Sequence, residues 1–252
     1  MRWIGHSGLA AGRPGGTPTR HTLASAEQLH LDWLEIDVWR TADGNLVLRH
    51  DLLLASGRRV DELPLADVKH DDPDVLTIDD AAEAVEHTGI PTLIDLKQPS
   101  DAPAVAAWLA QRPDPDRWAI CSDEPAALQA MREQAPAIAR WRTLPHVAQG
   151  RGEPVRRITA SVLRSLLPAR LPALAGAVGA AGLSVDRWAV TPGLAAAAHR
   201  LGLPLAAWTV NTPGAAQRMS ACNVDYITTD KPQEMRAALT SQDSAATARC
   251  DG

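Results

Sequence analysis

At 252 residues the chain is long enough for one large domain or two small ones, and a hydrophobic fraction of 45% is ordinary for a globular core. A formal net charge of −5 gives no general drive toward nucleic acid or an anionic membrane, so any anionic ligand must be captured by a local site. Three widely spaced cysteines (Cys121, Cys222, Cys250) with no CxxC argue against a disulfide framework or a zinc site. With Trp3-Ile4-Gly5-His6 leaving no room for a signal peptide, and no apolar run of membrane-spanning length, a soluble cytoplasmic protein is the expectation.

In chain order, short apolar runs alternate with alanine-rich segments of helical character. Strands are predicted at 3–6, 33–38, 46–50, 91–97, 118–122, 138–144, 188–190, 205–211 and 225–229. Several intervening helices have recognisable ends. Thr22 can cap a helix running to Leu29, and Thr77 precedes an acidic first turn with Asp79 and Asp80, with Gly89 just past its end. Thr191-Pro192 and Thr212-Pro213 each place a capping threonine before an N1 proline, and Gly202 closes the first of these two helices.

Repeated strand–helix alternation predicts an α/β fold: a single (β/α)8 TIM-type barrel over residues 1–240. Between Val38 and Leu46 there is no room for a crossover helix. The second and third strands therefore join by a short non-helical connection turning at Asp43-Gly44. Nine strand candidates for eight places mean that at least one is wrong or lies outside the barrel, and 188–190 is the shortest. No domain boundary is visible, and the polar stretch 241–252 reads as a disordered tail.

Catalytic groups of such a barrel sit at the C-terminal ends of its strands. Those ends supply His6, then Glu35 and Asp37, then His50 and Asp51, then Asp95 and Lys97; later ends bring Ser122, Arg142, Trp208 with Asn211, and Asp230. Glu35 and Asp37 are two apart in the apolar run Trp33-Leu-Glu-Ile-Asp-Val and project from one face of a strand. Side by side there, two carboxylates repel and are costly to bury without a cation. Asp95 and Lys97 repeat the spacing in Leu-Ile-Asp-Leu-Lys.

A single carboxylate at a strand end is ordinarily a helix cap or a surface group. Three of them converging on one mouth suit a hard divalent cation, Mg²⁺ or Ca²⁺. Lys97 balances charge and can hold a phosphate oxygen, and His6 and His50 can divide the work of general acid and base. Trp208 would be core in most proteins, but at this strand end it can line the ligand site. His146 follows Leu144-Pro145 on a loop that can overhang the mouth, whereas His30, His70, His87 and His199 read as surface or packing residues.

These residues, in this order, resemble the glycerophosphodiester phosphodiesterase family, (β/α)8 barrels related to the phosphatidylinositol-specific phospholipases C and the spider-venom sphingomyelinase D enzymes. The resemblance rests on Glu35-Ile-Asp-Val, Thr41-Ala-Asp-Gly, Val47-Leu-Arg-His-Asp, Leu93-Ile-Asp-Leu-Lys, Trp208-Thr-Val-Asn and Val224-Asp-Tyr-Ile-Thr-Thr-Asp-Lys-Pro, and runs from Trp3 to about Pro232. It implies metal ligation by Glu35, Asp37 and Asp95, acid/base roles for His6 and His50, and a phosphate contact from Lys97. The implied reaction is hydrolysis of a glycerophosphodiester to glycerol 3-phosphate and an alcohol.

Three departures from the family pattern stand out. His6-Ser7-Gly8 replaces the usual His-Arg-Gly, whose arginine helps hold phosphate. Arg20-His21-Thr22 replaces Glu-Asn-Thr, and the added positive charge makes Arg20 a candidate substitute phosphate contact, with the choice among Arg20, His21 and Arg40 left open by the sequence. The third metal ligand is Asp95 rather than Glu.

Two other readings stay open. One is a phospholipase D-type lysolipid phosphodiesterase, with Leu52-Leu53-Leu54 as an apolar wall; the other is a phosphate-ligand binding barrel that has lost turnover. The expected partner is a small glycerophosphodiester or lysolipid substrate, with no nucleic acid and no stable membrane insertion. The substrate alcohol, the choice between Mg²⁺ and Ca²⁺, the division of labour between the histidines and the oligomeric state are not legible in the sequence.

Overall fold

In the computed structural model, which describes residues 1–147 and 152–250 with side chains through Ser241, eight parallel strands close on themselves. They are β1 (Arg2–Gly5), β2 (Trp33–Arg40), β4 (Thr92–Leu96), β5 (Trp118–Ser122), β6 (Ala139–Thr143), β7 (Gly182–Asp186), β8 (Leu205–Trp208) and β9 (Tyr226–Thr229). β1 pairs with β2 on one side and with β9 on the other, which shuts the ring and leaves no open edge. The expected (β/α)8 barrel is therefore present.

The ninth strand, β3 (Leu46–Leu48), lies outside the barrel and runs antiparallel to β2, with Val38 opposite Leu48 and Arg40 opposite Leu46. β2 is eight residues long, and β1 pairs only with its first two, Trp33 and Leu34. The upper half of that edge is left for β3. A two-strand ribbon needs only a tight turn, here Thr41–Asn45 with the amide of Thr41 bonded to the carbonyl of Asn45 at 2.9 Å. That accounts for the short non-helical connection and removes 46–50 from the barrel strands.

The expected strand at 188–190 is a turn. Asp186 ends β7 and accepts the amide of Trp188 on its side chain at 2.9 Å and that of Ala189 on its carbonyl at 2.8 Å. The sixth barrel strand is instead Gly-Leu-Ser-Val-Asp, whose composition is not strand-like. Its position comes from packing: Gly182 stands opposite Trp141 in the β6–β7 register, and a Cβ at Gly182 would lie 2.5 Å from the indole. Only glycine lets the strand approach that ring.

The helices are α1 (Arg20–Gln28), α2 (Leu65–Asp71), α3 (Ile78–Glu86), α4 (Ala102–Leu109), α5 (Pro125–Gln134), α6 (Glu153–Val178), α7 (Pro192–Arg200), α8 (Pro213–Ala221) and α9 (Pro232–Cys250). Thr77 and Thr191 cap α3 and α7 as expected, accepting the amides of Asp80 and Leu194. Thr212 is also an N-cap, though its side chain makes no capping bond. For α1 the cap is Thr19, not Thr22: the two form a reciprocal capping box in which Thr22 is the third helical residue. Of the tail expected at 241–252, the backbone through Cys250 continues α9, and residues 251–252 lie outside the described residues.

Two packed layers follow from strand alternation. Leu34, Ile36, Ile94, Leu96 and Ile120 face outward and are buried with Leu23, Val85, Leu109, Leu128 and Met131 of the helices. The interior is filled by Ile4, Leu93, Ala119, Cys121, Trp141, Ala206 and Tyr226, with Trp141 and Tyr226 edge to face at 5.4 Å. This plug is the floor of the mouth above it. Among the described residues, no helix is long and apolar enough to cross a membrane.

Replacing Gly182 with alanine should cost about 1–3 kcal/mol, because the buried Trp141 ring cannot move aside without opening the plug. Urea unfolding followed by tryptophan fluorescence should show the midpoint falling for Gly182→Ala, with the m-value unchanged.

Candidate active site

Register sets the centre of the site. In the parallel β2–β4 pair Glu35 stands beside Leu93, and Asp37 beside Asp95. Glu35, Asp37 and Asp95 all project into the mouth, and each offers a ligand oxygen within 4.8 Å of the others. The ammonium of Lys97 reaches back to Asp95 at 2.5 Å and also contacts Asp37.

Just past β1 the chain turns through left-handed conformations at Ser7 (φ 45°) and Gly8 (φ 58°). The turn directs the Ser7 amide to Glu35 (2.6 Å) and the Ser7 hydroxyl to Asp37 (2.5 Å). Ser7 thus orients the two β2 carboxylates. Nothing local in the sequence signalled that role, beyond the unexpected residue between His6 and Gly8.

Each histidine is held by its own carboxylate. His6 Nδ1 bonds Asp230 at 2.9 Å; the other oxygen of Asp230 accepts the Asn211 amide at 2.5 Å, and Asn211 in turn accepts from Thr229 and the Asp230 backbone. His50 Nδ1 bonds Asp51 at 2.9 Å. In both rings Nε2 is the atom left for proton transfer, and the ring centroids are 6.1 Å apart. His50 is fixed from below by the neighbouring Arg49, whose buried guanidinium bonds the carbonyls of Asp51 and Leu53 and the carboxylate of Asp72. Gly16 (φ 62°) packs on this loop so closely that a Cβ there would sit 2.5 Å from that of His50.

The charges are strongly coupled. Burial, and then the neighbouring Asp37, push the Glu35 carboxyl up to about 8. Burial pushes Asp37 the same way, but Lys97 and the two histidines outweigh it and hold this carboxyl well below the usual range. Burial disfavours the His6 imidazolium; the Asp230 hydrogen bond and the charges of Glu35 and Asp37 overcome that and raise it to about 9. Cys121, level with Asp95 in the register and 3.6 Å from it, has its thiol pushed up by burial and by Asp95 and Glu35.

These groups line a cavity of about 360 Å³ together with Trp39, Asp123, His146, Trp208 and the hydroxyls of Thr143, Ser184, Thr209 and Thr228. Seven of the eight residues singled out in the sequence meet there: His6, Glu35, Asp37, His50, Asp95, Lys97 and Trp208. Arg20 does not join them. Its guanidinium pairs with Asp80 at 2.5 Å and Glu83 at 2.7 Å across the α1–α3 contact, because a side chain on a helix of the outer layer finds its partners on the adjacent helix. Leu52, Leu53 and Leu54 also stay out of the cavity: Leu54 is buried in a satellite cluster with Val47, Val60, Val68 and Val75, Leu52 packs against that cluster, and Leu53 faces solvent.

The donor set fits a hard divalent cation. Three carboxylates at this spacing supply oxygen ligands, and one of them carries a proton at neutral pH that a cation would displace. Mg²⁺ or Ca²⁺ affinity should therefore rise with pH up to about 8, where Glu35 ionises without help, and level off above it. Calorimetric titrations in buffers of different ionisation enthalpy should detect proton release below that pH and none above.

The sequence model of the glycerophosphoryl diester phosphodiesterase family matches residues 6–234. No curated protein gives a significant match. Among solved structures, the fold is similar to a phosphodiesterase from Oleispira antarctica in complex with the product sn-glycerol-3-phosphate (21% identity, 95% of this chain and 97% of that one, TM-score 0.76). It is also similar to a candidate glycerophosphoryl diester phosphodiesterase from Silicibacter pomeroyi (24%, 96% and 94%, TM-score 0.75) and a glycerophosphodiester phosphodiesterase from Parabacteroides distasonis (21%, 96% and 98%, TM-score 0.74). With the family model covering nearly its whole length, this chain belongs to the glycerophosphoryl diester phosphodiesterase family of phosphoric diester hydrolases.

Proposed function

We propose that the protein hydrolyses a glycerophosphodiester to glycerol 3-phosphate and an alcohol, using a divalent cation and a pair of histidines. The observation that carries this reading is the meeting of two carboxylate-backed imidazoles, 6.1 Å apart, over three carboxylates able to share one cation. Glu35, Asp37 and Asp95 would hold that cation. When bound, it supplies positive charge against a non-bridging phosphate oxygen as negative charge builds on the phosphorus centre. Lys97, in contact with two of the three carboxylates, adds a second positive group for the phosphate.

The surroundings of His6 divide the work of the pair. His6 is kept as imidazolium up to about pH 9 and is the proton donor. It protonates the alkoxide as the P–O bond to the alcohol breaks. His50, oriented by Asp51, takes the proton from the attacking hydroxyl, either water or the glycerol 2-hydroxyl. The second route forms a cyclic phosphate that water then opens, with the two histidines exchanging roles. No observation favours the lysolipid reading over this one, since none of Leu52, Leu53 and Leu54 lines the cavity.

Glycerol 3-phosphate release from glycerophosphocholine or glycerophosphoethanolamine should be abolished by a chelator and restored by Mg²⁺ or Ca²⁺. His6→Ala and His50→Ala should each lower kcat by about 10²–10⁴-fold while the divalent affinity persists. Tight divalent binding without any release would favour a binding barrel instead. Asp230→Asn removes the hydrogen-bonded charge that keeps His6 protonated, so the high-pH limb of kcat/KM should move to lower pH.

A further inference from the structure

Across the barrel from β1 and β2, the mouth carries a fourth carboxylate that neither the cation nor the two histidines account for. Asp123 sits immediately after β5, and His146 follows β6. They form an ion pair at 3.4 Å, and the imidazole packs edge to face on Trp208 with centroids 4.6 Å apart. All three line the cavity that holds the carboxylate cluster. The Asp123 side chain remains 45% exposed, so it is open to a ligand in the mouth. The hydrogen bond from His146 keeps its carboxyl below the usual range, so it is ionised at neutral pH.

We propose that Asp123, His146 and Trp208 form the subsite for the leaving alcohol, and that they select an alcohol carrying a cationic nitrogen, such as choline or ethanolamine. This rests on the phosphodiesterase reading above. The choice follows from charge. At the cation end Glu35, Asp37 and Asp95 are balanced by Lys97, His6 and the cation they would hold, so Asp123, partly exposed beside His146, is the carboxylate left facing the rest of the cavity.

An anionic phosphate is repelled by Asp123 and belongs at the cation end. An anionic alcohol group is repelled too, and a neutral one gains little from a charged wall. A cationic nitrogen gains twice, from the carboxylate and from the indole face of Trp208. No covalent step is added: the subsite only holds the group that leaves with the proton from His6.

The test compares kcat/KM for glycerophosphocholine, glycerophosphoethanolamine and the uncharged glycerophosphoglycerol, using the full chain with Mg²⁺ or Ca²⁺. The two cationic diesters should be preferred by about tenfold, the scale of a partly exposed ion pair plus a cation–π contact. Asp123→Asn should shrink that ratio toward unity, chiefly by raising KM for the cationic diesters, while Asp123→Glu should retain part of it. Trp208→Leu removes the π face without changing charge and should reduce the same ratio, which keeps the test open if the Asn variant fails to fold. Equal use of all three diesters by the unaltered chain would overturn the proposal, as would a uniform loss in Asp123→Asn. Failure to turn over any diester would overturn the hydrolase reading and the subsite with it.

Discussion

Three carboxylates forced together at the top of a hydrophobic barrel are the constraint around which the rest of this site is arranged. Burying like charges side by side is costly unless each is neutralised or given donors. Here one proton rests on Glu35, the ammonium of Lys97 is shared between Asp37 and Asp95, and Ser7 donates to both carboxylates of β2. The imidazolium of His6 adds a further positive charge nearby. Each compensation is one that a divalent cation can take over. The cluster as it stands is thus self-neutralised by groups that the proposed cation would displace.

The barrel supplies the rigidity this balance requires. Glu35, Asp37 and Asp95 come from adjacent hydrogen-bonded strands, so their backbones are fixed by the β2–β4 register rather than by a loop. Beneath them the plug of Trp141, Tyr226 and Leu93 excludes water from the floor. Low polarity there strengthens every electrostatic contact above it. Closure of the ring through β1 brings His6 and Ser7 over the same carboxylates, although they lie some thirty positions earlier in the chain.

The two histidines differ in support, in keeping with the different tasks proposed for them. His6 belongs to a hydrogen-bonded chain through Asp230 to Asn211, two residues from separate strand ends. His50 depends on its own neighbour Asp51 and on the loop that Arg49 and Gly16 hold in place. The antiparallel β3 delivers that loop. Its departure from barrel topology is what lets a histidine enter the mouth above β2 rather than at a ninth strand position.

Much of this was legible in the sequence because it is local. Strand alternation is a property of consecutive residues, so Glu35 with Asp37 could be read as sharing a face, and the ordered motifs carried the barrel and seven of the eight candidates that line one cavity. What stayed hidden depends on partners distant in the chain. β7 is a strand because Gly182 admits Trp141, not because Gly-Leu-Ser-Val-Asp looks like one. Arg20 is drawn away by Asp80 and Glu83 on another helix. Ser7 and Asp123 were not strand-end candidates at all, and the partners of Asp230, His146 and Trp208 are set only where separate strand ends converge. The sequence by itself determined which residue types reach the mouth. Tertiary structure decided which of them touch, because hydrogen bonds and charge pairs act across angstroms in space and are blind to separation along the chain.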